Sequence, residues 1–252
     1  MLNIQSTAKP NPAAMLTTDN VPAFNHDGLV SLGRYLQDIK YHHIAVTPLT
    51  HRYNNQRLPN TYARNLRDIL GWSRPFERDV VTDQAFELMF NAGILKYEGD
   101  NHWRSCVRWA SLEHLLCAHS AYPTDAEDAV FFGPDTYRYA RLIKEHMQKS
   151  RQNNINRAAD IGCGSGAGAI LIAQACPAAQ VVAVDINPKA LQLTAVNAKL
   201  AGAAGIIPVH SNLLDNVQGN FDLIIANPPY MIDAQKRAYR HGGGEFGEGL
   251  SK

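Results

Sequence analysis

Asp160-Ile161-Gly162-Cys163-Gly164-Ser165-Gly166 is the stretch whose reading decides the fold. The run Ala158–Ile161 that leads into it reads as a short strand, and the small-residue run Ala167–Ala175 behind it reads as a helix stopped by Pro177. Glycines at such a junction let the backbone turn sharply and come close to a ligand. The helix that follows offers unpaired N–H groups and the positive end of its dipole. Working outward, Val181–Ile186 is an apolar β-branched strand, Pro188–Leu200 a helix with proline in its first turn, and Ile206–His210 and Phe221–Ala226 two more strands. Upstream, Tyr139, Leu142, Ile143 and Met147 give Tyr137–Met147 an apolar stripe at helical spacing. Strands alternating with helices predict an α/β fold, with a Rossmann-like parallel sheet covered on both faces.

The glycine loop by itself fits two ligands. Gly162-x-Gly164-x-x-Ala167 also satisfies the dinucleotide pattern, and Asp185, at the end of the next strand, suits a ribose diol in either case. Asp160 separates the two. It stands two residues before Gly162, where a carboxylate can help hold an ammonium group and would be unhelpful to a pyrophosphate. The loop therefore reads as a site for S-adenosylmethionine.

Asn227-Pro228-Pro229-Tyr230 ends the strand Phe221–Ala226. Its two prolines hold the turn extended and confine Asn227 to extended backbone. In an open α/β sheet, ligands bind beyond the carboxyl ends of the strands, which is where Asn227 is presented. A planar amide or arylamine nitrogen is a poor nucleophile because its lone pair is delocalised. The Asn227 side-chain oxygen and the Pro228 carbonyl form an acceptor pair able to hold both N–H bonds of such a group and turn its lone pair toward a methyl donor. That is positioning and electrostatic stabilisation without a covalent intermediate. Tyr230 is placed to stack on a planar acceptor.

In this order, Asp160–Gly166, Asp185 and Asn227–Tyr230 resemble the class I methyltransferases that modify amino nitrogens, most of all the release-factor glutamine methyltransferase family. Phe132-Gly133-Pro134-Asp135-Thr136 stands where that family has a Pro-acid-Thr linker element, although the family's arginine between two prolines is absent. The resemblance covers residues 130–250. It implies S-adenosylmethionine as cofactor, bound by Asp160, Gly162, Gly164, Gly166, Asp185, Asn212 and Asn227, with Asn227, Pro228 and Tyr230 serving catalysis. Asn212 replaces an aspartate common in the segment after the third strand, and still offers an acceptor to the adenine amine. The resemblance also implies a seven-stranded sheet whose fourth strand ends in Asn-Pro-Pro-Tyr. Residues 231–252 contain no run that resembles a strand, so the domain reads as C-terminally truncated, with sheet order third, second, first, fourth and an exposed edge open to self-association.

The rest of the chain is less specific. Residues 1–23 read as a disordered lead-in, 24–129 as a mostly helical domain serving substrate recognition, and 130–252 as the catalytic domain. Within the second region Leu29–Ile39, Tyr62–Leu70 and Asp83–Phe90 have helical spacing. Ile94–Tyr97 and His102–Trp109, joined through Glu98-Gly99-Asp100-Asn101, read as a hairpin, which with the preceding helix makes either a winged-helix-like end or a small helical cap with an attached hairpin. Residues 1–129 carry 12 basic and 14 acidic side chains and residues 130–252 carry 12 and 9, so neither half is a basic nucleic-acid module by composition. No signal peptide or membrane segment is read, and Cys106, Cys117, Cys163 and Cys176 show no paired spacing, so a reducing, cytoplasmic setting is expected. His114, Cys117 and His119 lack a fourth partner at metal spacing and read as incidental side chains on a helix; no metal is expected. His42, His43 and His51 read as ordinary polar positions. Tyr35, Tyr41, Tyr53, Tyr62 and Trp72 read as core or as a substrate groove, and the glycine-rich segment with Arg237 and Arg240 as a gating loop or a loose end. Three functions stay open: methylation of a glutamine amide in a protein such as a translation factor, methylation of adenine N6 or guanine N2 in nucleic acid, and a non-catalytic adenosylmethionine-binding module.

Overall fold

The computed structural model describes residues 24–149 and 154–250; the expected lead-in 1–23 lies outside the described residues. The first described helix, α1 (His26–Asp38), is capped by the Asn25 side chain, which accepts a hydrogen bond from Gly28 N. Thr47 and Thr82 cap α2 (Pro48–Asn55) and α4 (Asp83–Asn91) in the same way. Between these lie α3 (Leu66–Leu70) and β1 (Phe76–Glu77). The helix expected over 62–70 is thus shorter, because the Asn65 side chain accepts from Asp68 N and fixes the helix start at Leu66.

After α4 come β2 (Leu95–Gly99) and β3 (His102–Ser105), the expected hairpin, with Asp100 and Asn101 both at positive φ in its two-residue turn. β1 adds to β3, giving the order β1-β3-β2, with Phe86 of α4 edge-on to Trp103 of β3, a winged-helix-like arrangement. The strand read as His102–Trp109 divides at Cys106. Its second part is β4 (Val107–Leu112), which pairs with β5 (Leu115–Ser120) in a separate two-stranded sheet. Cys117 and His119 therefore lie on a strand, not on the helix expected there. Every residue of β4 and β5 is buried. A strand covered on both faces has no alternation to read, which is why the hairpin was not legible.

The second half holds α5 (Pro134–Lys149), β6 (Arg157–Ile161), α6 (Ala167–Ala175), β7 (Gln180–Asp185), α7 (Pro188–Leu200), β8 (Ile206–His210) and β9 (Leu223–Ala226). All pairings are parallel, and the sheet order is β8-β7-β6-β9, the third, second, first, fourth order expected. Among the described residues β9 is an edge strand, with Ile224 half exposed. Ile161 is level with Val184 and Ala226, and Asp185 with His210, so the loops after all four strands leave the same end of the sheet.

Two cores join the halves. One gathers α1, α4 and β2–β5 around Trp103 and Trp109 and extends to Ala190, Leu193 and Val196 of α7. The other joins Ala110, Leu112, Leu115 and Cys117 of the β4–β5 hairpin to α5, α6, β6 and β7. The hairpin is thus wedged between the winged part and the parallel sheet. All four cysteines are free thiols. Among the described residues, no helix is long and apolar enough to cross a membrane.

Three of the histidines are core residues. His43, His51 and His119 are 4%, 1% and 0% exposed, so His43 and His51 are not the ordinary polar positions expected. They surround Arg108, itself buried, whose Nη1 donates to His51 Nδ1 at 3.4 Å and whose Nε donates to the Ser120 carbonyl at 3.0 Å.

Candidate active site

Gly162, Gly164 and Gly166 all have positive φ, at 70°, 55° and 79°, a conformation that costs an L side chain about 1–2 kcal/mol. A Cβ at Gly162 would meet nothing within 4 Å, and one at Gly164 only the Gly162 carbonyl at the limit of contact. Both face open space, the kind of cradle a ligand fills. Gly166 is different: its Cβ would come within 2.8 Å of Thr194 Cγ2, so it is pressed against α7. Gly166 also caps α6 without a side-chain acceptor of its own, which leaves Ala167 N and Gly168 N, the first two of that helix, to a ligand, while Ala169 N is taken by Asp160.

Asp160 is 1% exposed and lies behind this loop. Its Oδ2 accepts from Ala169 N at 2.8 Å, and its Oδ1 accepts from the Tyr139 hydroxyl at 3.2 Å. Burial pushes its carboxyl up to about 7, against the pull of those two donors. Asp160 therefore holds the loop and the start of α6 together. Asp185, at the end of β7, accepts from Gly164 N and Asn187 N, both at 2.9 Å, and burial raises its pKa too.

A cavity of about 130 Å³ lies over the loop. Gly162, Gly164, Asp185 and Asn227 line it, with Phe131, Tyr139 and Tyr239 among the other walls. A second cavity of about 270 Å³ is lined by Pro48, Asp135, Pro228, Tyr230, Met231 and Arg240, and shares Phe131, Asn227, Pro229 and Tyr239 with the first. Asn227 thus stands where the two meet. Phe131 and Tyr239 stack beside it, with centroids 5.5 Å apart and planes 5° from parallel. Asn212 is not among the residues lining either cavity. It is exposed, two residues beyond His210, and its Nδ2 donates to Asp215 Oδ2 at 3.3 Å. Of the expected site residues, the structure brings Gly162, Gly164, Asp185, Asn227, Pro228 and Tyr230 to the cavities, and leaves Asp160 behind them, Gly166 against α7 and Asn212 to one side.

The segment after Tyr230 turns back onto the linker before α5. Arg237 is ion-paired with Asp233 and Asp125 and donates to the Thr124 carbonyl, while the Tyr239 hydroxyl donates to the same carbonyl at 3.0 Å. This places Tyr239 in the wall between the cavities. Sequence reasoning missed Phe131 and Tyr239, since neither lies in a motif and they meet only through this return.

Residues 126–240, which hold this site apart from Pro48, match the model of the methyltransferase small domain. This stretch of the chain is similar to a methyltransferase domain. S-Adenosylmethionine is the methyl donor of this class of domain. Among curated proteins, the release factor glutamine methyltransferase of Lactococcus lactis subsp. lactis (strain IL1403) is 31% identical over 170 residues, covering 67% of this chain and 58% of that protein. The release factor glutamine methyltransferase of Deinococcus radiodurans is 36% identical over 103 residues, 41% of this chain and 36% of that protein. The ribosomal protein uL3 glutamine methyltransferase of Neisseria gonorrhoeae is 38% identical over 82 residues, 32% of this chain and 27% of that protein. The matches thus span 27% to 58% of those proteins' own lengths.

The residues of the matched stretch fit the cofactor of that class of domain. The glycine cradle is open, the first two N–H groups of α6 offer donors, and Asp185 lines the trough with a carboxylate able to accept from hydroxyl groups.

Proposed function

We propose that the chain methylates the side-chain amide nitrogen of a glutamine in a protein substrate. The observation that carries this reading is the position of Asn227 at the junction of the two cavities, one over the glycine loop and one walled by Pro48, Phe131, Tyr230 and Tyr239. When bound, S-adenosylmethionine supplies an electrophilic methyl group on a sulfonium. The chain's own residues orient and enclose. Asp185 accepts from the ribose hydroxyls at the rim, and the Gly162–Gly164 backbone lies against the ligand. Asn212 stands beyond the same sheet end for the adenine. Asp160 acts through the loop. In the second cavity the Asn227 side-chain oxygen and the Pro228 carbonyl accept the two amide N–H bonds, which fixes the plane of the acceptor and directs its nitrogen toward the first cavity. The methyl replaces one of those N–H bonds, and the proton leaves to water.

A protein acceptor is favoured over nucleic acid by charge. In the winged arrangement, α4 and the β2–β3 turn are the parts that would meet a duplex. The exposed face of α4 carries Asp83, Gln84 and Glu87, and the hairpin end carries Glu98 and Asp100. Asp83 pairs with Arg78 and Glu98 with Arg104, so even with Lys96 this surface offers phosphates no surplus of positive charge. The names of the curated relatives, which act on a release factor or a ribosomal protein, point the same way.

The test is transfer of labelled methyl from S-adenosylmethionine into a native lysate, split by protease and nuclease, with calorimetry of S-adenosylhomocysteine and NAD alongside. Label lost to protease and mapped to a glutamine, with S-adenosylhomocysteine the tighter ligand, is expected. Label lost to nuclease, or tighter binding of NAD, overturns the reading.

A further inference from the structure

Behind the glycine loop, α7 presents two buried polar side chains one helical turn apart. Thr194 and Asn197 are both 0% exposed and, at spacing i and i+3, share a face. The Thr194 hydroxyl donates to the Gly164 carbonyl at 3.1 Å. Asn197 Nδ2 donates to the Ser165 carbonyl at 2.8 Å. Two successive carbonyls of the loop are therefore drawn onto α7, while Gly166 presses against Thr194 and Asp185 takes Gly164 N.

Asn197 does more than hold the loop. Its Oδ1 accepts from Ala118 N at 2.8 Å, and its Nδ2 also donates to the Ala118 carbonyl at 3.0 Å. The side-chain amide takes the place of a neighbouring strand for the middle of β5. Both Nδ2 hydrogens and the carbonyl are used, so the amide is satisfied although fully buried. Ala118 faces Trp109 across the hairpin, and Trp109 is fully buried in the core it shares with α1. One side chain thus bridges the wedge between the winged part and the glycine loop, where no water is available to replace a lost bond.

We propose that Thr194 and Asn197 are positioning residues of the cofactor loop, and that Asn197 couples that loop to the β4–β5 hairpin, so that cofactor binding and hairpin stability are linked. The proposal rests on the reading of Asp160–Gly166 as the cofactor loop. Linkage is reciprocal: a ligand that tightens the loop stabilises the hairpin through Asn197, and loosening the hairpin weakens the ligand.

Two measurements test it. Thr194→Val removes the hydroxyl with little change of shape, and Thr194→Ser restores it. Calorimetry with S-adenosylhomocysteine is expected to show about 3–10-fold weaker binding for the valine variant and affinity within about twofold of the parent for the serine variant. Hydrogen exchange of the β5 peptide containing Ala118 is the second readout. In the parent, S-adenosylhomocysteine is expected to slow exchange there. In Asn197→Asp, which keeps an acceptor for Ala118 N but loses both donors, the ligand is expected to leave that exchange rate unchanged. If this variant does not fold, the effect of the ligand on the parent decides the coupling alone. Equal affinities for parent and Thr194→Val, or an unchanged β5 rate in a parent that binds the ligand, overturn the proposal and leave the cofactor reading standing. A parent that does not bind S-adenosylhomocysteine overturns both.

Discussion

The Tyr230 hydroxyl donates a hydrogen bond of 3.1 Å to Asp135 Oδ2, joining residues 95 positions apart. Asp135 opens α5 and also pairs with Arg138 Nη1 at 2.9 Å. The linker element Pro134-Asp135-Thr136 and the Asn-Pro-Pro-Tyr turn, read separately in the sequence, therefore meet in one wall of the second cavity, the one proposed for the acceptor. The bond sets the direction of the tyrosine ring, which is otherwise more than half exposed.

Removing either partner is expected to loosen the acceptor side and leave the cofactor side alone. Tyr230→Phe and Asp135→Ala should each lower kcat/KM about 2–10-fold, with S-adenosylhomocysteine affinity unchanged. The double variant should be no worse than the poorer single one, because both remove the same bond. Steady-state kinetics of the four proteins checks this; additive losses would mean that the two residues act separately.

Asn227→Ala is expected to reduce kcat on the order of a hundredfold or more while the cofactor dissociation constant stays within a few fold. The asymmetry follows from the role proposed for it at the junction, where it lines both cavities and would hold the acceptor, while Asp185 and the glycine loop would hold the cofactor. Single-turnover rates and calorimetry measure the two effects separately. Near-normal turnover would remove Asn227 from the reaction.

Asp185→Ala should weaken S-adenosylhomocysteine binding about 10–100-fold, the cost of losing hydrogen bonds to a charged acceptor. It should also lower the melting temperature, because the carboxylate holds Gly164 N and Asn187 N in the folded chain. Asp185→Asn keeps one acceptor oxygen and is expected to fall between. Calorimetry and thermal melts report both, and an unchanged dissociation constant would contradict the assignment.

The parts of this molecule that were legible in the sequence are those where local chemistry leaves one solution. The helix Pro188–Leu200 matched at both ends because Asn187 caps it and Pro188 occupies its first turn. The glycine loop and the Asn-Pro-Pro-Tyr turn were legible because positive φ and proline restrict the backbone residue by residue. The β4–β5 hairpin was not, since burial on both faces erases the alternation that marks a strand. Asn197 was equally hidden. A polar residue in a helix carries no local sign that its partners, Ala118 and Ser165, lie 79 and 32 positions away. The role read for Asp160 is indirect in the structure, because its neighbours Ala169 and Tyr139 occupy both oxygens.

The last prediction concerns acid. His43, His51 and His119 surround the buried Arg108, and burial with that guanidinium lowers all three histidines, His43 to about 4, His51 to about 3 and His119 well below its ordinary value. The geometry at His51 shows why: Arg108 Nη1 donates to Nδ1, so Nε2 carries the proton that is given to the Trp72 carbonyl at 2.8 Å, and a second proton would have to sit against the guanidinium. In the unfolded chain these side chains titrate near 6.5. Above that pH both states are neutral and the full stability is present. Between about 6.5 and 4 the unfolded chain binds protons that the folded chain refuses, so stability falls by about 1.4 kcal/mol per pH unit for each histidine. Asp160 acts in the opposite direction. Its pKa is raised to about 7, so its contribution is full below about 3.8 and is lost as pH rises through about 7. Asp185, whose pKa burial also raises, acts in the same direction as Asp160. The net slope is therefore three histidines against two aspartates, and stability should decrease from pH 6.5 to 4.5. Urea unfolding at half-unit steps of pH measures it. His51→Gln, which keeps polar atoms at the position and takes up no proton, should flatten the slope by about 1.4 kcal/mol per pH unit relative to the parent. Parallel pH profiles for the two proteins would show that His51 is not held neutral in the fold.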